Sequence, residues 1–400
     1  MRILHTADWH LGQNFYGFDR KREHVHFLTE LKRHLREQAA DVLLVAGDVF
    51  DSPNPPAEAQ EMFYRFLYEA TVENAQLQIV VIAGNHDSAA RLEAPDPLLQ
   101  TLRVTVRGSV RRNPDGEIDC GRLIIPLVRN GKTVAWCLAV PYLRFGDYPP
   151  AESYATGVAK LFRQLYGHLP DKRLPIVAMG HLQATGSEIS VSDKSERTVI
   201  GGLEGVAPEE LFQGVAYAAL GHLHRAQRVS KHENIRYAGA PLPMSFAETG
   251  NRQRVARVEI DSLGTQVEWI ELSPLAGLQT IRAVSVQDVF RQIDGLPDGD
   301  KTDAPYLEIR VRISDPEPSL RYRIECALEN KAVRLGPLLC ESAARTDGRQ
   351  TVSSFEELQN LTPMGMALEV FRRQYDGEMP EEMKTLLQQV IDESQHREVG

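Results

Sequence analysis

Thiols, long apolar runs and surplus positive charge are all scarce in this 400-residue chain, and each scarcity excludes something. The four cysteines, Cys120, Cys137, Cys326 and Cys340, are widely spaced and form no CxxC or zinc-ribbon pattern, so neither a disulfide framework nor a thiolate metal site is expected. They read as buried or partly buried free thiols of a reducing cytoplasm. No uninterrupted apolar stretch approaches the ~20 residues that span a bilayer, so no membrane insertion is expected. Asp8, His10 and Gln13 stand where a secretory signal needs an apolar core, which argues against export. Lysine and arginine number 45 against 55 acidic residues, a net charge of −10. The deficit is uneven: residues 353–400 hold ten acidic and four basic side chains, a net of −6 that leaves −4 for the other 352. Bound divalent cations add local positive charge, so this acidity does not exclude DNA or RNA. It requires that such contact be local or aided by a partner.

Present instead are five apolar, strand-like runs, each ending in a turn that delivers metal-type ligands. Arg2-Ile3-Leu4 leads to Asp8-Trp9-His10, and Val42 to Ala46 leads to Gly47-Asp48. Ile79 to Ala83 leads to Gly84-Asn85-His86-Asp87, Ile176 to Met179 to Gly180-His181, and Ala216 to Leu220 to Gly221-His222-Leu223-His224. Continuous apolar runs of this length predict strands buried on both faces, as in parallel sheets. Ligands of such sheets bind beyond the carboxyl ends of the strands, so these distant turns are expected to converge. Trp9 and Leu223, each between two ligands, are expected to pack inward, as is His5. His24, His26, His34, His168 and His232 are assigned no site role.

The remainder of the chain suggests three regions, within the range that a ~150-residue domain size allows. Residues 1–273 alternate strand and helix. One predicted helix covers Arg22 to Gln38 with Val25, Leu28, Leu31 and Leu35 on one face; another follows Pro55-Pro56 with Met62, Phe63, Phe66, Leu67 and Ala70 as its stripe. A hairpin over Gln253 to Leu272, turning at Asp261-Ser262-Leu263-Gly264, implies an α/β sandwich of two β-sheets flanked by helices. Residues 274–345 read as a small α/β module in which Tyr306 to Ile313 alternates with period two, a half-buried strand with a charged outer face. Arg310 and Arg312 on that face could reach a phosphate backbone, although a solvated face is the simpler expectation. Residues 346–400 carry two predicted helices, about 354–375 and 380–393. The second has Met383, Leu386, Leu387, Val390 and Ile391 at helical spacing, a stripe suited to a partner helix or to this protein's own core.

Asp8 and His10, and likewise His222 and His224, sit two apart, so in extended chain both side chains leave on one side. With Asp48, Asn85 and His181 they make seven ligands without a thiolate, too many for one tetrahedral zinc. They suit two ions ~3.5–4 Å apart, with the two oxygens of Asp48 as the bridge. Imidazole-rich ligation favours Mn²⁺, Fe²⁺ or Zn²⁺ over Mg²⁺, and Mn²⁺ is the expected metal. Such a centre fits phosphoester hydrolysis, in which in-line attack calls for a proton donor on the leaving-group side. His86 is the candidate for that catalytic role, and Asp87 is expected to orient it, with Asp51 as a second possibility.

The order D-x-H, G-D, G-N-H-D, G-H, G-H-x-H is similar to that of the calcineurin-like metallophosphoesterases. Met1 to Tyr16, Val45 to Asp51, Ala83 to Ser88 and Ala219 to Ala226 further resemble the SbcD family of bacterial nuclease subunits, a resemblance that extends more weakly over the whole chain. It implies that Asp8, His10 and His224 hold one metal and Asn85, His181 and His222 the other, with Asp48 between and His86 catalytic. It also implies Mn²⁺-dependent 3′-end exonuclease action on duplex DNA and endonuclease action on hairpins and single strands. The small module would be a capping domain governing DNA access, and the tail would bind the coiled-coil base of an SbcC-type ATPase. A homodimer within a heterotetramer, cytoplasmic and nucleoid-associated, is the implied assembly. In Tyr237-Ala238-Gly239-Ala240-Pro241 the chain has alanine where relatives often have serine, so no phosphate contact is assigned to Ala240. A small-molecule phosphatase or phosphodiesterase, and a catalytically idle scaffold, are the alternatives. The ~130 residues beyond Leu272 weigh against the first, and the intact ligand set against the second.

Overall fold

Strands that are apolar on both faces pair in parallel and build the centre of the molecule. The computed structural model describes residues 1–188, 205–313, 317–342 and 383–384. The chain divides into two compact units, Met1–Ser342 and Ala343–Gly400. Of the second, only Met383 and Lys384, both helical, are described; the two expected tail helices otherwise lie outside the described residues.

One six-stranded sheet runs in the order Gly264–Glu271, Arg254–Asp261, Arg2–Thr6, Val42–Ala46, Gln78–Ile82, Val104–Arg107. The other runs Gln227–Val229, His232–Tyr237, Tyr217–Gly221, Ile176–His181, Lys132–Ala139, Ile124–Arg129. All five ligand-bearing strands lie inside these sheets and pair in parallel with neighbours, as expected of two-faced apolar runs. Val42, Leu44, Val80 and Ile82 meet Cys137, Val177, Met179 and Ala219 between the sheets. Helices Lys21–Glu37 and Ala57–Glu73 cover the outer face of the first sheet, and Tyr154–Gly167 covers that of the second.

Helix Lys21–Glu37 buries Phe27, Leu28, Leu31 and Leu35, whereas Val25, expected in the stripe, is exposed. Val25 follows buried His24 by one residue, about 100° round the axis, which carries it off the covered face. Cys120 and Cys137 are buried, but Cys326 and Cys340 are exposed, contrary to expectation; all four are free.

The small module is a parallel three-stranded sheet, Leu278–Ala283, Tyr306–Ile313 and Arg334–Ser342, with helices Val286–Asp294 and Leu320–Ala327. It belongs to the same compact unit as the two large sheets. Because Tyr306–Ile313 is the central strand, Glu308 is buried on the face expected to be solvated, and Arg310 Nε donates to it at 2.8 Å. Arg312 lies 3.9 Å from Glu341. The solvated-face reading of these arginines therefore gains acidic partners. A buried polar knot fastens the module: Glu23 on helix Lys21–Glu37 accepts from the Tyr306 hydroxyl, pairs with Arg20 at 2.8 Å and faces Arg334 at 3.5 Å.

Candidate metal centre

The turns after the first two parallel strands are hydrogen-bonded to each other before any side chain is considered. Asp8 N–H donates to Gly47 O, His10 N–H to Asp48 O and Leu11 N–H to Val49 O, at 3.0, 3.0 and 2.9 Å. To turn so sharply, Asp8 (φ 54°), His10 (φ 46°), Asp48 (φ 49°) and His222 (φ 100°) all take left-handed backbone. That region costs a non-glycine residue roughly 1–2 kcal/mol, and strain of this kind gathers at functional sites. Gly47 (φ 93°) is required twice over, since a Cβ there would stand 2.2 Å from His181 Nδ1. At Gly84 a Cβ would stand 2.1 Å from Asp48 Oδ1. Trp9 and Leu223 are buried as expected; the Trp9 ring meets Phe27, Phe63 and Phe66 between the first two helices, which anchors the turn that aims Asp8 and His10.

These turns bring the seven expected ligands together. Potential ligand atoms of Asp8, His10 and His224 lie within 4.8 Å of one another, as do those of Asp8, Asp48 and His181 and those of His10, Asp48 and His86. His181 donates its Nδ1 proton to Ala46 O at 2.9 Å, leaving Nε2 3.3 Å from Asp48 Oδ2 and 2.9 Å from Asn85 Oδ1. His222 Nδ1 lies 3.0 Å from the same amide oxygen, and its backbone N–H donates to Asp8 Oδ1 at 3.0 Å. The donor set fits a pair of divalent cations. Both ring nitrogens of buried His10 are without a hydrogen bond; Asp51 Oδ1 at 3.4 Å from Nδ1 makes only an ion-pair contact.

Electrostatics point the same way. Burial opposes charge on Asp48, but His181, its hydrogen bond, His10 and His86 outweigh it and hold the carboxyl below its usual range. Burial would likewise lower His181, yet Asp48 and Asp8 raise it to about 9. Burial, reinforced by Asp48, lifts Asp8 to about 7 against the pull of His181. Burial and the neighbouring His181 bring His222 down to about 4, and His224 falls well below its ordinary value through burial and His10. At neutral pH the pocket thus offers one firmly ionised carboxylate at Asp48 and neutral imidazoles at His222 and His224, while His181 keeps its proton beside Asp48.

His86 donates its Nδ1 proton to the backbone carbonyl of Asp51 at 2.9 Å, and its N–H donates to Asp48 Oδ1 at 2.8 Å. Asp87 does not orient it. The Asp87 carboxylate accepts from the N–H groups of Val49, Phe50 and Gly84 at 3.1, 2.9 and 2.8 Å, tying two ligand turns together. Burial and Asp48 raise it to about 6 against those three donors. Adjacency in sequence misled here because consecutive side chains at a sharp turn diverge. Sequence reasoning also missed Tyr142, whose ring lies 6.2 Å from that of His181, and buried Glu248, 3.8 Å from His224 Nδ1. Neither stands in a ligand motif.

The calcineurin-like phosphoesterase domain matches residues 1–226, and a Type 5 capsule protein repressor C-terminal domain matches residues 274–378. The chain is 37% identical over 355 residues to the SbcD component of nuclease SbcCD from Rhodobacter capsulatus, covering 84% of this chain and 87% of that one. It is 30% identical over 416 residues to the SbcD component from Escherichia coli K12, covering 100% and 99%, and 31% over 319 residues to that from Bacillus subtilis 168, covering 79% and 80%. With its paired carboxylates and imidazoles at strand ends, the chain belongs to the calcineurin-like phosphoesterases, hydrolases of phosphoric esters. Within that class it belongs to the SbcD family, the nuclease components of SbcCD.

Proposed function

We propose that this chain is a manganese-dependent DNA nuclease that trims duplex ends from the 3′ side, opens hairpins and single strands, and works with an SbcC-type ATPase in DNA end processing. The observation that carries the reading is the position of Asp48, whose carboxylate stands within 4.8 Å of ligand atoms in two groups, His10 with His86 and Asp8 with His181. Asp8, His10 and His224 would hold one ion, and Asn85, His181 and His222 the other, with Asp48 shared. Such ions lower the pKa of water and neutralise charge on phosphoryl oxygens.

The protein's own groups do the rest. The imidazoles of His222 and His224 and the ionised Asp48 are already in ligand form, whereas His181, raised to about 9, must release its proton to bind. Asp87 and the paired backbone of the turns hold those donors in place. With the His86 Nδ1 proton committed to the Asp51 carbonyl, Nε2 donates when the ring is cationic and accepts when it is neutral. Hydrolysis of a phosphodiester yields a monoester and an alcohol, and His86 Nε2 supplies the proton that the departing oxygen takes up.

The assembly that fits this reading is cytoplasmic and nucleoid-associated: a homodimer within a heterotetramer, the small module setting DNA access and the tail binding the ATPase. Among the described residues no helix is long and apolar enough to cross a membrane. A 3′-labelled duplex incubated with Mn²⁺ tests the activity; mononucleotide release is expected, whereas turnover confined to nitrophenyl phosphate esters would favour a small-molecule phosphodiesterase. Truncation after Ser353 should abolish co-purification with the ATPase yet leave nitrophenyl ester cleavage intact, and retained co-purification would remove the tail from the interface.

A further inference from the structure

His224, an expected ligand, has a buried carboxylate beside it that belongs to none of the ligand motifs. Glu248, 4% exposed, ends the short helical turn Phe246–Glu248. Its Oε1 lies 3.8 Å from His224 Nδ1 and accepts the Met244 N–H at 3.1 Å. The segment that carries it is held from both ends. Ser245 caps the turn, its Oγ accepting from Ala247 N–H at 3.2 Å. Upstream, the fully buried Arg20 donates Nη1 to Pro243 O at 2.6 Å while its other nitrogens grip Glu23. Phe246 packs with Phe15 and Tyr306. A carboxylate so immobilised has no solvent shell to return to, and His224 is the metal-type ligand it faces.

We propose that Glu248 is a positioning residue for the metal centre: its negative charge, 3.8 Å from His224 Nδ1, keeps the proton on that nitrogen and thereby presents Nε2 to the cation. Imidazole ligands commonly give their second N–H to a carboxylate in this way, and losing that partner lowers metal affinity roughly 10–100-fold. The inference rests on the two-metal reading.

The test is Mn²⁺ affinity of the full-length protein, measured by titration with Mn²⁺ alone, for wild type and Glu248→Gln. Glutamine keeps an acceptor oxygen for Met244 N–H and removes only the negative charge that faces His224 Nδ1, so a merely structural role survives the change. The expected result is a roughly 10–100-fold rise in the dissociation constant with the melting temperature nearly unchanged. Equal affinity in the two proteins overturns the inference while leaving the two-metal reading intact; wild type that binds no Mn²⁺ defeats that reading itself. Should Glu248→Gln fail to fold, long-range ¹H–¹⁵N correlation of the wild-type histidines with Zn²⁺ bound decides instead. A proton on His224 Nδ1 supports the assignment, and a proton on Nε2 overturns it.

Discussion

At the residue scale, His86 and His5 show how differently two histidines are used. His86 binds the Asp51 carbonyl through Nδ1 and lies beside Asp48 and His10, so its substitution should separate chemistry from metal retention. For His86→Gln the expected outcome is a drop in DNA cleavage of roughly 10²–10⁴-fold with metal content, measured by elemental analysis, unchanged. An unaltered rate would remove His86 from the reaction.

His5 sits fully buried under the inter-sheet core with Nδ1 2.8 Å from the Tyr217 hydroxyl. Burial pushes it down from 6.5 to about 3, against a raising contribution from the Leu220 backbone. The folded protein therefore keeps it neutral where the unfolded chain takes a proton, and stability present above pH 6.5 is lost as pH falls towards 3. At pH 5.5 one such group costs about 1.4 kcal/mol. His24, lowered to about 3 by burial and by Arg20, adds in the same direction. Between pH 7.5 and 5.5, His5→Gln should lose about 1.4 kcal/mol less unfolding free energy than wild type; parallel losses in urea titrations would contradict this account.

At the element scale, the ligand strands were legible because they are buried on both faces and cannot hide their apolar runs. Their turns were legible because glycine and ligand alternate there. The region from Val104 to Ala139 ends in no ligand turn, although it supplies the edge of one sheet and two strands of the other, and its run Val134 to Val140 is as apolar as the ligand strands. Val104–Arg107 is only four residues long, and Ile124–Arg129 contains Pro126, which a sheet tolerates only near an edge. The usable signal was Asn130-Gly131, both at positive φ (52° and 73°) between two paired strands, the pattern of a tight hairpin. The Asp87 error had a different source: its three N–H partners come from two separate turns, and no local pattern reports such an arrangement.

Gly47 tests whether turn geometry, rather than ligand identity alone, builds the pocket. Gly47→Ala meets both a left-handed φ of 93° and His181 Nδ1 at 2.2 Å. It should weaken Mn²⁺ binding about as severely as losing a group that orients a ligand, roughly 10–100-fold, although every ligand remains. Wild-type affinity in that variant would show that the turn can relax.

At the scale of the whole molecule, the small module and the phosphoesterase sheets meet across Arg20, Glu23, Tyr306 and Arg334, all nearly inaccessible to solvent. Removing the single negative charge leaves two guanidinium groups facing each other without it. Glu23→Gln should lower unfolding free energy by about 3–5 kcal/mol, the usual cost of breaking a buried ion pair, and adding Arg334→Met should restore part of it. A change below about 1 kcal/mol, measured by urea unfolding, would mean that the knot is incidental.

The same seam bears on how long substrates are admitted. Swinging the module outward would pull Tyr306 and Arg334 off Glu23, leaving Arg20 as its one partner in the knot, and would part the Tyr306 ring from Phe15, 4.7 Å away between centroids. Such a rotation would forfeit several kcal/mol with nothing to replace the lost contacts. On the nuclease reading the module then sets access as a fixed wall and not as a swinging lid.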